Sequence, residues 1–146
     1  MKIKQATAAD LTVVATLFND YRQFYEQKSD LEAAEALILA RMEKKESVIY
    51  VAMEDERPLG FVQLYPTFSS VGMQRAFILN DLFVAQDARK QGVAHALIEQ
   101  CYSYCEENNA RYITLETAET NISAQKLYEK MDMEMDLSVR HYSKYF

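Results

Sequence analysis

The chain has 146 residues, 49% hydrophobic and 26% charged, with three glycines and two prolines, a composition that predicts one compact domain over residues 1–146 and excludes long disordered segments. Sixteen basic against twenty-two acidic side chains give a formal charge of -6, which argues against a nucleic-acid partner and permits a cationic one. The N-terminus MKIKQATAAD has no apolar run behind its lysines, and no window is long and apolar enough to cross a bilayer, so a cytoplasmic protein without a membrane partner is expected.

The opening MKIKQAT alternates weakly, as a first strand does. Thr7 followed by Asp10 supplies a cap and a first-turn carboxylate, and a helix over 8–27 follows, its stripe formed by Leu11, Val14, Leu17, Phe18, Tyr21 and Tyr25. Ser29 with Glu32 repeats the capping signature before LEAAEALILARMEKK, a second helix. The pattern then turns β-rich. VIYVAM and LGFVQLY form a hairpin around EDERP, Pro66 closes the second strand, PTFSSVGMQR is a polar turn region with Phe68 exposed, and AFILNDLFV is the longest strand. Asn80 and Asp81 interrupt that apolar run, and polar groups at such positions need partners or a purpose.

A helix from Gly92 to about Glu107 follows, with Val93, Leu97, Cys101 and Cys105 at four-residue steps and an NN stop. Its two cysteines read as reduced core residues, and with only His95 and His141 to join them no metal site is predicted. YITLET is the next strand, parallel to AFILNDLFV because the connecting helix is long enough for a right-handed crossover. Asn121 caps a helix over 122–130, and the tail MEMDLSVRHYSKYF alternates loosely enough for two short strands. The order predicts an α+β, three-layer α/β/α arrangement around a mixed, mostly antiparallel sheet.

Chemistry concentrates in NDLFVAQDARKQGVAHALIEQ. Gly92 and Ala94 keep the amides of Gln91, Gly92, Val93, Ala94 and His95 accessible at a helix start, where unpaired N–H groups and the helix dipole favour a diphosphate. Arg89 and Lys90 add positive charge. Neither GxxxxGK[ST] nor GxGxxG is present.

These segments resemble the GNAT superfamily of N-acetyltransferases, and are most like its small bacterial single-domain members. RKQGVA meets the family pattern Q/R-x-x-G-x-G/A. NISAQKLYEKMDM is similar to N-x-x-A-x-x-L-Y-x-x-x-G-F at Asn121, Ala124, Leu127 and Tyr128, with Asp132 and Met133 replacing the glycine and aromatic. Asp tolerates the left-handed turn that glycine normally makes. The resemblance implies acetyl-CoA as cofactor, its pantetheine arm in a gap where the central parallel strands splay at the end of NDLFV. Leu82, Phe83 and Val84 would hold the arm, Arg89, Lys90 and Gln91 to His95 the pyrophosphate, while Asn121 and Ser123 would face the coenzyme and Tyr128 would protonate the departing sulfur.

The acceptor implied is a primary amine, with a small diamine or polyamine, an aminoglycoside and a protein or peptide amine as alternatives. LNDLFV resembles the matching strand of diamine acetyltransferases, with Asn80 where those have glutamate. An amine with a pKa of about 10.4 must lose a proton before it attacks a thioester. Asp81 is the first candidate base, Glu116 the second, and a water chain a third route. Tyr21, Phe24, Tyr25, Tyr65 and Phe68, with Asn80, are candidates for the acceptor wall, and the early aromatics serve equally for dimer packing. The resemblance further implies a homodimer, to which the tail would contribute strands. The rival reading is an acyl-CoA-binding or sensing module without catalysis.

Overall fold

A computed structural model describes residues 1–146. The elements run β1 (Lys2–Gln5), α1 (Leu11–Phe24), α2 (Leu31–Glu43), β2 (Val48–Glu54), β3 (Arg57–Ser69), β4 (Gln74–Val84), α3 (Val93–Glu107), β5 (Ile113–Thr114) and α4 (Ile122–Lys130). They fall into two units, Met1–Glu116 and Thr117–Phe146. No helix is long and apolar enough to cross a membrane.

In the first unit the sheet order is β1-β2-β3-β4-β5, antiparallel except for the parallel pair β4/β5. Side chains alternate across it, so each face builds its own core. On one face Val14, Leu17 and Phe18 of α1 and Ala34 and Ile38 of α2 bury against Ile49, Val51, Phe61 and Phe83. On the other, Tyr104 of α3 packs on Tyr50 and Phe77. Buried Val93, Leu97, Ile98, Cys101 and Cys105 make the inner stripe of that helix. This is the three-layer, mostly antiparallel fold that the element order predicts. Both cysteines are free and buried, and burial first, then Cys105, pushes the Cys101 thiol up to about 12.

Several boundaries differ from the sequence reading for local reasons. Residues 8–10 form a 3-10 turn, closed by the Thr7 amide donating to Asp10 Oδ2 at 2.9 Å, and α1 ends at Phe24 rather than at residue 27. Asp30, not Ser29, caps α2, its Oδ1 accepting from the Ala33 amide at 3.1 Å. Ser29 instead accepts from Asn19, whose Oδ1 also takes the Asp30 amide at 2.9 Å. The expected long EDERP loop is a two-residue turn, with Asp55 in the left-handed region. Pro66 does not close β3. The β2 ladder ends at Val48↔Leu64 while the β4 ladder continues to Ser69↔Gln74, so Pro66 lies where one flank of β3 is open and no N–H is needed there. The polar turn shrinks to residues 70–73.

β4 carries a bulge. Gln63 pairs with Asp81 but Leu64 pairs with Leu79, so Asn80 is the extra residue. The insertion rephases the strand: Phe83 and Asp81 face α1 and α2, whereas Leu79 and Phe77 face α3. The polar pair inside the apolar run is thus a bulge followed by one inward carboxylate.

In the second unit α4 has its predicted limits. Asn121 Oδ1 accepts from the Ala124 amide at 3.2 Å. At the other end Asp132 takes a left-handed φ of 65° and the Met133 amide bonds back to the Tyr128 carbonyl at 3.0 Å. The glycine-to-aspartate departure therefore keeps the turn. Residues 133–146 form no strand, contrary to the sequence expectation, since alternation needs a neighbouring strand to become a ladder.

Candidate active site

YITLET contributes only Ile113–Thr114, paired as Phe77↔Ile113 and Ile78↔Thr114. Beyond Ile78 the two parallel strands part, so from Leu79 to Val84 the only strand beside β4 is β3. The parting begins earlier than the end of NDLFV, where the sequence reading put it. Main-chain groups of Leu82, Phe83 and Val84 lie along this stretch, and Glu116 follows the last paired residue of β5 by two.

The same strand feeds α3. Gly92 is its N-cap, in the left-handed region at φ 81°, and no side chain caps the first turn. A Cβ built on Gly92 would meet nothing within 4 Å. Gly92 is thus exposed, with open space on its Cβ side, at the start of the helix whose first-turn amides are those of Val93, Ala94 and His95. Lys90 is also left-handed, at φ 62°. Two left-handed residues thus flank Gln91 just before α3. An open strand flank beside an uncapped, glycine-led helix start fits a long amide-bearing arm ending in a diphosphate.

Side chains of the loop mostly hold the loop. Arg89 Nε donates to the Val84 carbonyl at 3.1 Å, and its guanidinium lies 5.3 Å from the Phe24 ring centroid and 5.8 Å from that of Phe83. Asp87 pairs with Arg57 at 2.9 Å, Gln91 Nε2 donates to the Asp87 carbonyl at 3.2 Å, and His95 lies 3.8 Å from Glu99. What the loop presents is chiefly backbone.

Asp81 lies on the face toward α1 and α2 and is 4% exposed. Its Oδ2 accepts from Gln63 Nε2 at 2.6 Å and its Oδ1 from Asn80 Nδ2 at 3.2 Å, while Tyr21 adds a side-chain hydrogen bond. Burial pushes its proton affinity above the ordinary carboxylate range, and the three hydrogen bonds partly offset this. Gln63 Nε2 also donates to Tyr65 Oη at 3.3 Å. Burial, then the Asp81 charge, raises the Tyr65 phenol, with Arg41 of α2 opposing.

The acceptor candidates divide. Tyr21, Phe24 and Tyr25 form one ring cluster, with Tyr21–Tyr25 centroids 5.0 Å apart, Phe24–Tyr25 5.3 Å and Tyr21–Phe83 6.2 Å. Tyr65 joins them through Gln63 and Asp81. Phe68 does not, because three residues along a strand put it on the opposite face, where Arg75 covers it at 5.5 Å. Asn80 is exposed at the bulge. Asn121, Ser123 and Tyr128 belong to the second unit, as the cap, the first turn and the last turn of α4. The sequence reading missed Gln63, although a glutamine amid GFVQLY is the same signal as Asn80 and Asp81. A cavity of about 510 Å³ elsewhere in the first unit, between Thr7, Met42, Ser47 and Tyr104, is lined by none of the candidates.

The acetyltransferase (GNAT) family model matches residues 14–133. An uncharacterized N-acetyltransferase, YhfO, of Bacillus subtilis (strain 168) is 48% identical over 142 residues, 97% of this chain and 95% of its own length. A probable acetyltransferase of Haemophilus influenzae is 32% identical over 124 residues, 84% of this chain and 85% of its own. The crystal structure of a probable acetyltransferase, 40% identical, superposes with a TM-score of 0.95 over 100% of this chain and 98% of that one. The chain belongs to the GNAT family of acetyltransferases.

Proposed function

We propose that the protein transfers the acetyl group of acetyl-CoA to a primary amine by direct attack, with a small diamine or polyamine as acceptor. The observation that supports this best is the uncapped start of α3, led by an exposed Gly92, beside the unpaired flank of β4. Amides from Gln91 to His95 hold the pyrophosphate, and the main chain of Leu82 to Val84 takes the pantetheine arm. When bound, acetyl-CoA supplies an acyl thioester whose thiol, with a pKa of roughly 8.5, leaves readily.

Asp81 takes the proton that the acceptor ammonium must lose. A carboxylate with raised proton affinity suits this role better than an ordinary one, because its affinity lies closer to neutral pH. Tyr21, Phe24 and Tyr25 line the acceptor side, with the Arg89 guanidinium 5.3 Å from the Phe24 ring centroid. By its match to the family motif that starts at Asn121, Tyr128 is the residue that would hold, at Oη, the proton the departing sulfur needs. Neither cysteine carries the acyl group, because each is buried and its thiol raised. The negative net charge favours a cationic acceptor. The protein works in the cytoplasm as a homodimer.

The test is release of CoA thiol from acetyl-CoA against polyamines, aminoglycosides, amino acids and lysine peptides, with the acceptor-free rate subtracted. Polyamine preference is expected. Coenzyme binding without acceptor-dependent release across the panel favours a sensing module, and absence of coenzyme binding refutes the reading. Gly92→Ala places a Cβ in open space but in a strained backbone conformation; about 1 kcal/mol of stability is lost and coenzyme affinity falls roughly tenfold, as calorimetry would read.

A further inference from the structure

Gln63 is wholly buried in β3, yet it carries two amide donors and one acceptor into the apolar stretch around Phe61, Val62 and Leu64. The bulge at Asn80 sets it directly across from Asp81. Both of its N–H groups are used: one goes to Asp81 Oδ2 at 2.6 Å and the other to Tyr65 Oη at 3.3 Å. Its Oε1 is buried without a partner. A buried amide that satisfies both donors and leaves its acceptor orphaned has been oriented by something stronger than its own full satisfaction. The reverse orientation would press a carbonyl oxygen against a carboxylate oxygen, so the orientation found is the one an ionised Asp81 selects.

We propose that Gln63 is a positioning residue for the reaction: braced by Tyr65, it holds the Asp81 carboxylate ionised and aimed, ready to accept the proton of the incoming amine. This rests on the reading of Asp81 as base. The groups facing Asp81 are Tyr21 from α1, Gln63 from β3 and Asn80 from its own strand, while Arg41 of α2 acts on Tyr65 behind them. Of these, Gln63 is the largest hydrogen-bond influence favouring the ionised form. Tyr65 matters because a glutamine with a single acceptor is free to rotate. With the phenol oxygen fixed on one N–H, the other has one direction left, toward Asp81.

The experiment follows the Asp81 carboxyl directly, by carbon NMR titration of the free protein, alongside the pH profile of kcat/KM. Wild type, Gln63→Leu, Gln63→Glu and Tyr65→Phe are compared, with thermal melts establishing that each folds. Gln63→Leu removes the donor, so Asp81 titrates at higher pH and the acid limb of kcat/KM moves the same way; activity at the acid end falls about tenfold against a smaller change on the plateau. Gln63→Glu sets two carboxyl groups to share one proton and moves both readings further. Tyr65→Phe shifts them in the same direction by less.

An unmoved Asp81 titration in folded Gln63→Leu, or in folded Gln63→Glu if the leucine variant does not fold, overturns the proposal. If the carboxyl titration moves while the acid limb stays, Gln63 governs the charge of Asp81 as proposed, and the assignment of Asp81 as base is what fails.

Discussion

Burial raises the proton affinity of Asp81 in the folded chain above the ordinary carboxylate range. Below that range the side chain is protonated whether folded or unfolded. As pH rises, the unfolded chain releases the proton first, and stability is lost until pH passes through the raised folded value. At neutral pH, then, an ionised Asp81 weighs against the fold, and replacing it relieves that. Asp81→Asn is expected to raise the melting temperature at pH 7 by a few degrees, with the gain shrinking toward pH 4, and to lower amine-dependent transfer by about 10²-fold or more. Melting curves across pH and initial rates check the two halves separately. No gain at pH 7 would mean that the hydrogen bonds fully offset burial. Asp81 was legible in the sequence as a charge inside an apolar run. Gln63 was not read, because its meaning depends on a partner eighteen residues away and on a bulge that decides which residues face each other.

At the scale of elements the bulge is the most exacting feature. One residue inserted at Asn80 turns Ile78, Leu79 and Phe77 onto the faces where they pack. Deleting it would send Leu79 and Phe77 toward α1 and Ile78 toward α3, inverting half a strand. Deletion of Asn80 is expected to cost about 3 kcal/mol or more, whereas Asn80→Ala, which keeps the count, costs about 1 kcal/mol or less; urea melts distinguish them. The helices α3 and α4 were legible to within a residue because their signals are local: Gly92 at one start, Asn121 at the other, Asn109 and Asp132 in left-handed stops. Strands were less so. Where β3 ends and how little of YITLET pairs are set by neighbours, and neither Pro66 nor the run of β-formers carries that information.

Across the whole molecule, the apolar residues left outside any element gather at the C-terminus. Met135, Leu137, Val139, Tyr142, Tyr145 and Phe146 are all exposed, a high concentration of bare apolar surface for a fourteen-residue stretch. Their partly alternating spacing suits a strand added to a second copy, which is how the proposed homodimer would form. Sedimentation of the full chain is expected to give a dimer, and a chain ending at Met133 a monomer that still binds coenzyme. A full chain that sediments as a monomer refutes this.

The unpaired flank of β4 has one more consequence. What it and the start of α3 offer is main chain, and an amide or carbonyl persists when the side chain on the same residue is exchanged. On the proposed reading, the donor half of the reaction would therefore tolerate sequence drift, while the acceptor half would be written in the side chains of Gln63, Tyr65, Asp81 and the early tyrosines. Descendants of such a chain could then change their acceptor without relearning how to hold the acetyl donor.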